Sequence, residues 1–128
     1  METTLIYIGK AEKRTIYDRL REECEGTGPG TFFRGIGSLL GFKPIKGSLI
    51  GKINTNNYYF SKETREKIVI WMNDNLDFNF IEIVDDITGV ESELIKKYCP
   101  ILNTTFNPYK SKTLAAIRKS CREYALLK

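Results

Sequence analysis

The chain contains no histidine. A Ser-His-Asp triad, a Cys-His pair and a histidine-ligated metal centre are therefore excluded within it. Any hydrolysis must be carried by Tyr, Lys, Arg, Asp or Glu. The three cysteines, Cys24, Cys99 and Cys121, are far apart. No two of them have the short spacing of a zinc site or a redox motif, so reduced and largely buried thiols are expected. Asp85 and Asp86 are adjacent carboxylates that could ligate a metal or start a helix. Arg34, Lys43, Lys46 and Lys52 lie among glycines and asparagines. Such a stretch suits phosphate contact through side chains and exposed backbone amides. The formal net charge of +4 permits a polyanionic partner without requiring one.

These groups need a scaffold. With 128 residues, 41% hydrophobic and 28% charged, the chain suits one compact domain with a packed core. No apolar stretch approaches the roughly 20 residues that span a bilayer. Residues 1–4 have neither the basic start nor the apolar run of a signal peptide, so a cytoplasmic protein is expected.

Residues 3–8 are rich in β-formers and predict a strand ending at Gly9. After a charged turn, Thr15 suits an N-cap, with Asp18 as a weak capping-box partner. Ile16, Leu20 and Cys24 then fall on one helix face. Gly26 to Gly30 break that helix. Thr31 caps a second one with Phe33, Ile36, Leu39 and Leu40 inward, and Gly41 suits its stop. Residues 43–60 read as a loop or a hairpin. Ser61 caps a helix through about Leu76, burying Ile68, Trp71 and Met72. Residues 78–84 (FNFIEIV) read as a strand. Thr88 starts a helix that Pro100 ends, and a last helix spans about 113–126, with Leu114, Ile117, Cys121 and Tyr124 on one stripe.

Two segments in this order resemble the GIY-YIG nuclease superfamily. The first is Tyr7-Ile8-Gly9-Lys10-Ala11 followed by Arg19-Leu20. It is similar to the family's strand-turn-helix with YIG and a helix arginine. The second runs Glu91-Ser92-Glu93-Leu94-Ile95-Lys96-Lys97-Tyr98-Cys99-Pro100-Ile101-Leu102-Asn103, and resembles the family's late helix with its trailing Pro-x-Leu-Asn. The resemblance extends to Asn103 and leaves the last helix outside the motif. It implies an α+β fold, a small antiparallel β-sheet flanked by helices, over a single domain 1–128. It also implies a DNA endonuclease that hydrolyses phosphodiester bonds with a single divalent ion, Mg²⁺ or Mn²⁺.

Carried across, Tyr7, Arg19, Glu91 and Asn103 form the catalytic set. Glu91 holds the metal, Arg19 stabilises charge on phosphoryl oxygens, and Asn103 braces the site. Gly9 lets the backbone turn toward a phosphate. Nucleic acid would be held by Gly9, Lys10, Arg34, Lys46 and Lys52. The chemistry is coherent: the metal is a Lewis acid, and a guanidinium matches phosphate oxygens. A tyrosine, with an ordinary pKa of about 10, would act as a base only if Lys10, Arg19 and the metal favoured phenolate.

The sequence also departs from the family. None of the six residues before Tyr7 forms the Gly-Ile/Val-Tyr strand. Glu23 stands where the family usually has His or Tyr. Both changes remove proton-handling groups, each typically worth ~10²–10⁴ in rate. Tyr58 or Tyr59 could replace the missing tyrosine from a strand beside Tyr7. The alternatives are a catalytically impaired nucleic-acid-binding module and a protein-interaction domain that dimerises or accepts an added strand at an open sheet edge. Simpler roles also compete. Tyr7 could be an ordinary buried strand tyrosine, and Arg19 could pair with Glu22 or Glu23. Glu91 could complete a capping box with Thr88.

Overall fold

The computed structural model describes residues 3–25 and 31–128. They form five helices: α1 (Ile16–Glu25), α2 (Thr31–Leu39), α3 (Lys62–Asn75), α4 (Ile87–Tyr98) and α5 (Lys112–Ala125). The caps explain most of the boundaries. Thr15 Oγ1 accepts from Asp18 N ahead of α1. Ser61 accepts from Thr64 N before α3, and Ser111 from Leu114 N before α5. α2 closes in a Schellman turn: Gly41 N donates to Ser38 O, Phe42 N donates to Gly37 O, and Gly41 takes φ +88°. The predicted break at Gly26–Gly30 and the Cys24 thiol lie outside what is described. Of the other two thiols, Cys121 is buried and Cys99 is partly exposed.

α2 is the centre of the molecule, packed against α1, α3 and α5. Two glycines permit this. A Cβ on Gly37 would come within 2.7 Å of Ile68 and Phe60, and one on Gly35 within 2.9 Å of Arg118 and Leu102. The core gathers Phe32, Phe33, Ile36, Leu49, Tyr58, Phe60, Ile68, Met72, Leu102 and Leu114, with Trp71 packed at its edge. On α5 the buried positions are Leu114, Cys121 and Ala125, so Ile117 and Tyr124 are only partly covered.

The expected antiparallel sheet is not there: among the described residues there is no β-strand. Both predicted strands lack regular secondary structure and any ladder. Residues 3–9 are tied by other means. Leu102 N donates to Ile6 O at 3.0 Å, and the backbone of Ile8 bonds the Asn103 side chain. Residues 78–84 run with most side chains exposed. β-propensity supplies residues that suit a pleated surface, but a strand exists only with a partner to complete its hydrogen bonds. The edge expected to accept an added strand has no counterpart among the described residues.

Residues 43–60 form a loop with turns at 46–51. It folds back on the end of α5, where Leu49 N donates to Ala125 O and Lys43 Nζ lies 5.1 Å from the Tyr124 ring centroid. Among the described residues no helix is long and apolar enough to cross a membrane.

Candidate active site

Tyr7 projects from residues 3–9 onto the start of α2, its ring centroid 4.8 Å from that of Phe32. Gly9 makes this possible. A Cβ at Gly9 would come within 2.8 Å of the Tyr7 ring, so the glycine clears space for the aromatic ring. Its φ is not in the left-handed region, so a tight turn is not what requires it. Asn103 fixes the register of the segment. Its Oδ1 accepts from Ile8 N at 2.9 Å and its Nδ2 donates to Ile8 O at 2.8 Å. One amide side chain thus satisfies both backbone groups of Ile8, as a neighbouring strand would. Asn107 in turn holds that turn by donating to the carbonyls of Pro100 and Asn103.

α1 brings Arg19 to this point. Arg19 Nη2 donates to Tyr7 Oη at 3.0 Å, and Nη1 lies 3.2 Å from Glu23 Oε1, one helical turn on. Glu23 is 6% exposed and accepts from Phe33 N in the first turn of α2. Its Oε1 is buried and makes no aligned hydrogen bond, so the Arg19 contact there is an ion pair only. The carboxylate replacing the family's His or Tyr thus links α1 to α2 and holds Arg19 in place. Burial pushes its carboxyl above the usual range despite the Arg19 charge.

α4 carries Glu91, within electrostatic range of Lys10 and Arg19. The N-cap of α4 is Asp86, not Thr88, and its carboxylate accepts from Gly89 N. The capping-box role for Glu91 is thereby removed, since Gly89 is the residue three positions after the cap. Asp86, with φ +50°, serves the helix start. Thr88 instead accepts from Lys10 Nζ at 2.5 Å, while Lys10 also pairs with Glu12 at 3.0 Å. Lys10 therefore joins the turn after Tyr7 to α4. Glu91 is half-buried and feels the charges of Lys10 and Arg19. Burial outweighs them and raises its carboxyl. Glu12, Asp85, Asp86 and Thr88 line a cleft of about 320 Å³ beside this point.

Tyr7 and Arg19 are therefore in direct contact, and Glu91 interacts electrostatically with both. The Tyr7 phenol is affected by both Arg19 and Glu91, but burial dominates and its pKa rises. Arg19 lowers the value, but without a metal it does not offset burial.

The basic set divides. Arg34, on α2, belongs with this region. It donates to Asn57 Oδ1 at 3.2 Å and interacts electrostatically with Glu23. Lys46 and Lys52 are exposed on the loop that covers the far end of α2 and the end of α5, away from Tyr7. Tyr58 and Tyr59 do not replace the missing tyrosine. The Tyr58 hydroxyl is buried 2.6 Å from Ser38 Oγ, and Tyr59 is partly exposed on the same loop. Arg118 of α5 was not foreseen. It reaches Thr31 O at 3.3 Å at the start of α2 and interacts with Tyr7. Its position between Leu114 and Cys121, on a stripe otherwise apolar, is the signal that could have revealed it.

The chain belongs to the GIY-YIG catalytic domain family, whose model matches residues 1–123. The match continues past Asn103 and takes in most of α5. Membership places the chain among nuclease-type domains. No curated protein and no solved structure compared with the chain matches it.

Among the described residues no group of three or more His, Cys, Asp or Glu gathers to cage a metal. Glu91 is half-buried, and a lone carboxylate of this kind could hold Mg²⁺ or Mn²⁺ only with water supplying most of the ligands.

Proposed function

We propose that this domain is a slow, metal-dependent endonuclease acting on DNA phosphodiester bonds. The observation that carries the reading is the hydrogen bond joining Tyr7 to Arg19, with Glu91 of α4 interacting electrostatically with both. A phenol, a guanidinium and a carboxylate are the groups that phosphate-ester hydrolysis requires in a chain without histidine.

Glu91 would hold one Mg²⁺ or Mn²⁺, which when bound supplies Lewis acidity and a more acidic water. Arg19 presents planar donors suited to phosphoryl oxygens. The Tyr7 oxygen accepts from Arg19, which leaves the phenolic proton to donate to a phosphate oxygen or a water. To act as a base, Tyr7 must first overcome the raised pKa that burial imposes. Glu23 restrains Arg19 and caps α2, so the second proton-handling group is not replaced by a mobile one. A missing general base or acid costs ~10²–10⁴ in rate, hence a slow enzyme. Asn103 is a positioning residue that acts through Ile8. Lys10 and Arg34 are the flanking cations offered to the DNA strand.

A binding-only module is the second reading, supported by the engagement of Arg19 with both Tyr7 and Glu23. One experiment separates the two. Supercoiled, linear and branched DNA are incubated with the protein and Mg²⁺ or Mn²⁺, beside Glu91→Ala. Slow cleavage that vanishes in the variant, while salt-sensitive DNA binding persists, is expected. Uncut DNA with both proteins in both metals would leave only the binding module.

A further inference from the structure

On α5 the buried positions recur at Leu114, Cys121 and Ala125. Arg118 stands four residues after the first and three before the second, so a cation occupies the core-facing stripe. It is half-buried. Its guanidinium rests against Gly35, where a Cβ would come within 2.9 Å of Nη2. Any other residue at 35 would displace it. Nη2 donates to Thr31 O at 3.3 Å, while Nε is buried with no hydrogen-bond partner.

Among the described residues no carboxylate forms an ion pair with Arg118. Its electrostatic neighbours are Tyr58, Arg122 and Tyr7. Both tyrosines are held neutral by burial. Burial lowers both guanidinium pKa values, with Arg118 adding to the effect on Arg34 of α2 and Arg122 adding to the effect on Arg118. A partly buried charge without a counter-charge is a liability to folding. An external anion would lift it, and Arg118 has unused donors in a planar fork that matches phosphate oxygens.

We infer that Arg118, flanked by Arg34, forms a second phosphate-gripping site that holds a backbone phosphate other than the one offered to Arg19. This rests on the nucleic-acid reading above and adds to it. One strand would be held on both sides of Tyr7, by a residue of α5 that lies outside the motif segments.

The test measures binding without cleavage. Anisotropy of a labelled DNA duplex is followed in metal-free buffer over a range of salt. Wild type is compared with Arg118→Met, Arg118→Lys and Glu91→Ala. Arg118→Met is expected to weaken binding roughly tenfold at low salt and to reduce the salt slope by about one. Its melting temperature should hold or rise, because methionine suits the stripe. Arg118→Lys should keep the slope and recover part of the affinity. Inorganic pyrophosphate should raise the melting temperature of wild type and not of Arg118→Met.

Unchanged affinity and slope in Arg118→Met would overturn the inference, as would a lower melting temperature with no loss of binding. Wild type insensitive to both DNA and pyrophosphate would overturn it as well. If DNA is bound through Arg118 but never cut, the nuclease reading fails and this site stands. If DNA is cut and Arg118→Met binds like wild type, only this site fails.

Discussion

Residues 3–10 and residues 77–85 both lack regular secondary structure and are both rich in β-forming side chains, yet they are held very differently. The first segment is fastened to residues 102 and 103 by three hydrogen bonds, and Tyr7 rests on Phe32. In the second, Phe80 is 75% and Val84 94% exposed, and among the described residues no backbone hydrogen bond ties 77–85 to another segment. Its attachments are at its ends: Phe78 meets Phe32 edge-on at 6.4 Å, and Asp86 caps α4. Such backbone gains a definite position only from partners for its donors and acceptors. Those partners can be a side-chain amide and a turn in place of a neighbouring strand.

Three substitutions test this contrast. Asn103→Ala has the largest expected effect. It leaves two backbone groups of Ile8 without partners and should cost about 2–4 kcal/mol in chemical denaturation. If slow cleavage is observed in wild type, it should fall further than stability alone explains, because Tyr7 loses its register. A cost under about 0.5 kcal/mol would erase the distinction between the segments.

Glu23→Gln sharpens it through pH. The raised carboxyl of Glu23 means that the folded state keeps a proton the unfolded state has lost. Its contribution to stability is therefore fully present below the ordinary carboxylate range and is lost as pH rises through the elevated value. Glutamine removes that titration and can still accept from Phe33 N. Relative to wild type, the variant should gain stability as pH rises from 4 toward 7. Parallel curves for the two proteins would refute the assignment.

Phe80→Ser should do least, changing stability by within about 0.5 kcal/mol. A larger loss would mean that the second segment is held after all.

The parts of the site carried by local chemistry were legible in the sequence. Tyr7, Arg19, Glu91 and Asn103 stand in recognisable segments; the structure joins Tyr7 to Arg19 by a hydrogen bond, leaves Glu91 in electrostatic range of both, and ties Asn103 to the segment around Tyr7 through Ile8. Ser61 and Gly41 mark helix ends through backbone requirements that a few residues satisfy. The sheet was misread because propensity describes one strand while pairing involves two. Lys46 and Lys52 were grouped with Arg34 by proximity in sequence, but the loop carries them to the other end of α2. Arg118 escaped because a charge on an apolar stripe looks like an ordinary surface residue until Gly35 is seen to make room for it. The start of α4 was placed at Thr88 because its spacing to Glu91 imitates a capping box, whereas Asp86 accepts the decisive bond.

The bonds between Ile8 and Asn103 join positions 95 residues apart. During synthesis the residues around Tyr7 emerge long before Asn103 and wait for the chain between them before their fastening exists. Closing so long a loop is slow compared with winding the helices between its ends. A nascent chain that has not yet reached residue 103 cannot fasten the segment around Tyr7, so the placement of that phenol beside Arg19 depends on residues made long after it.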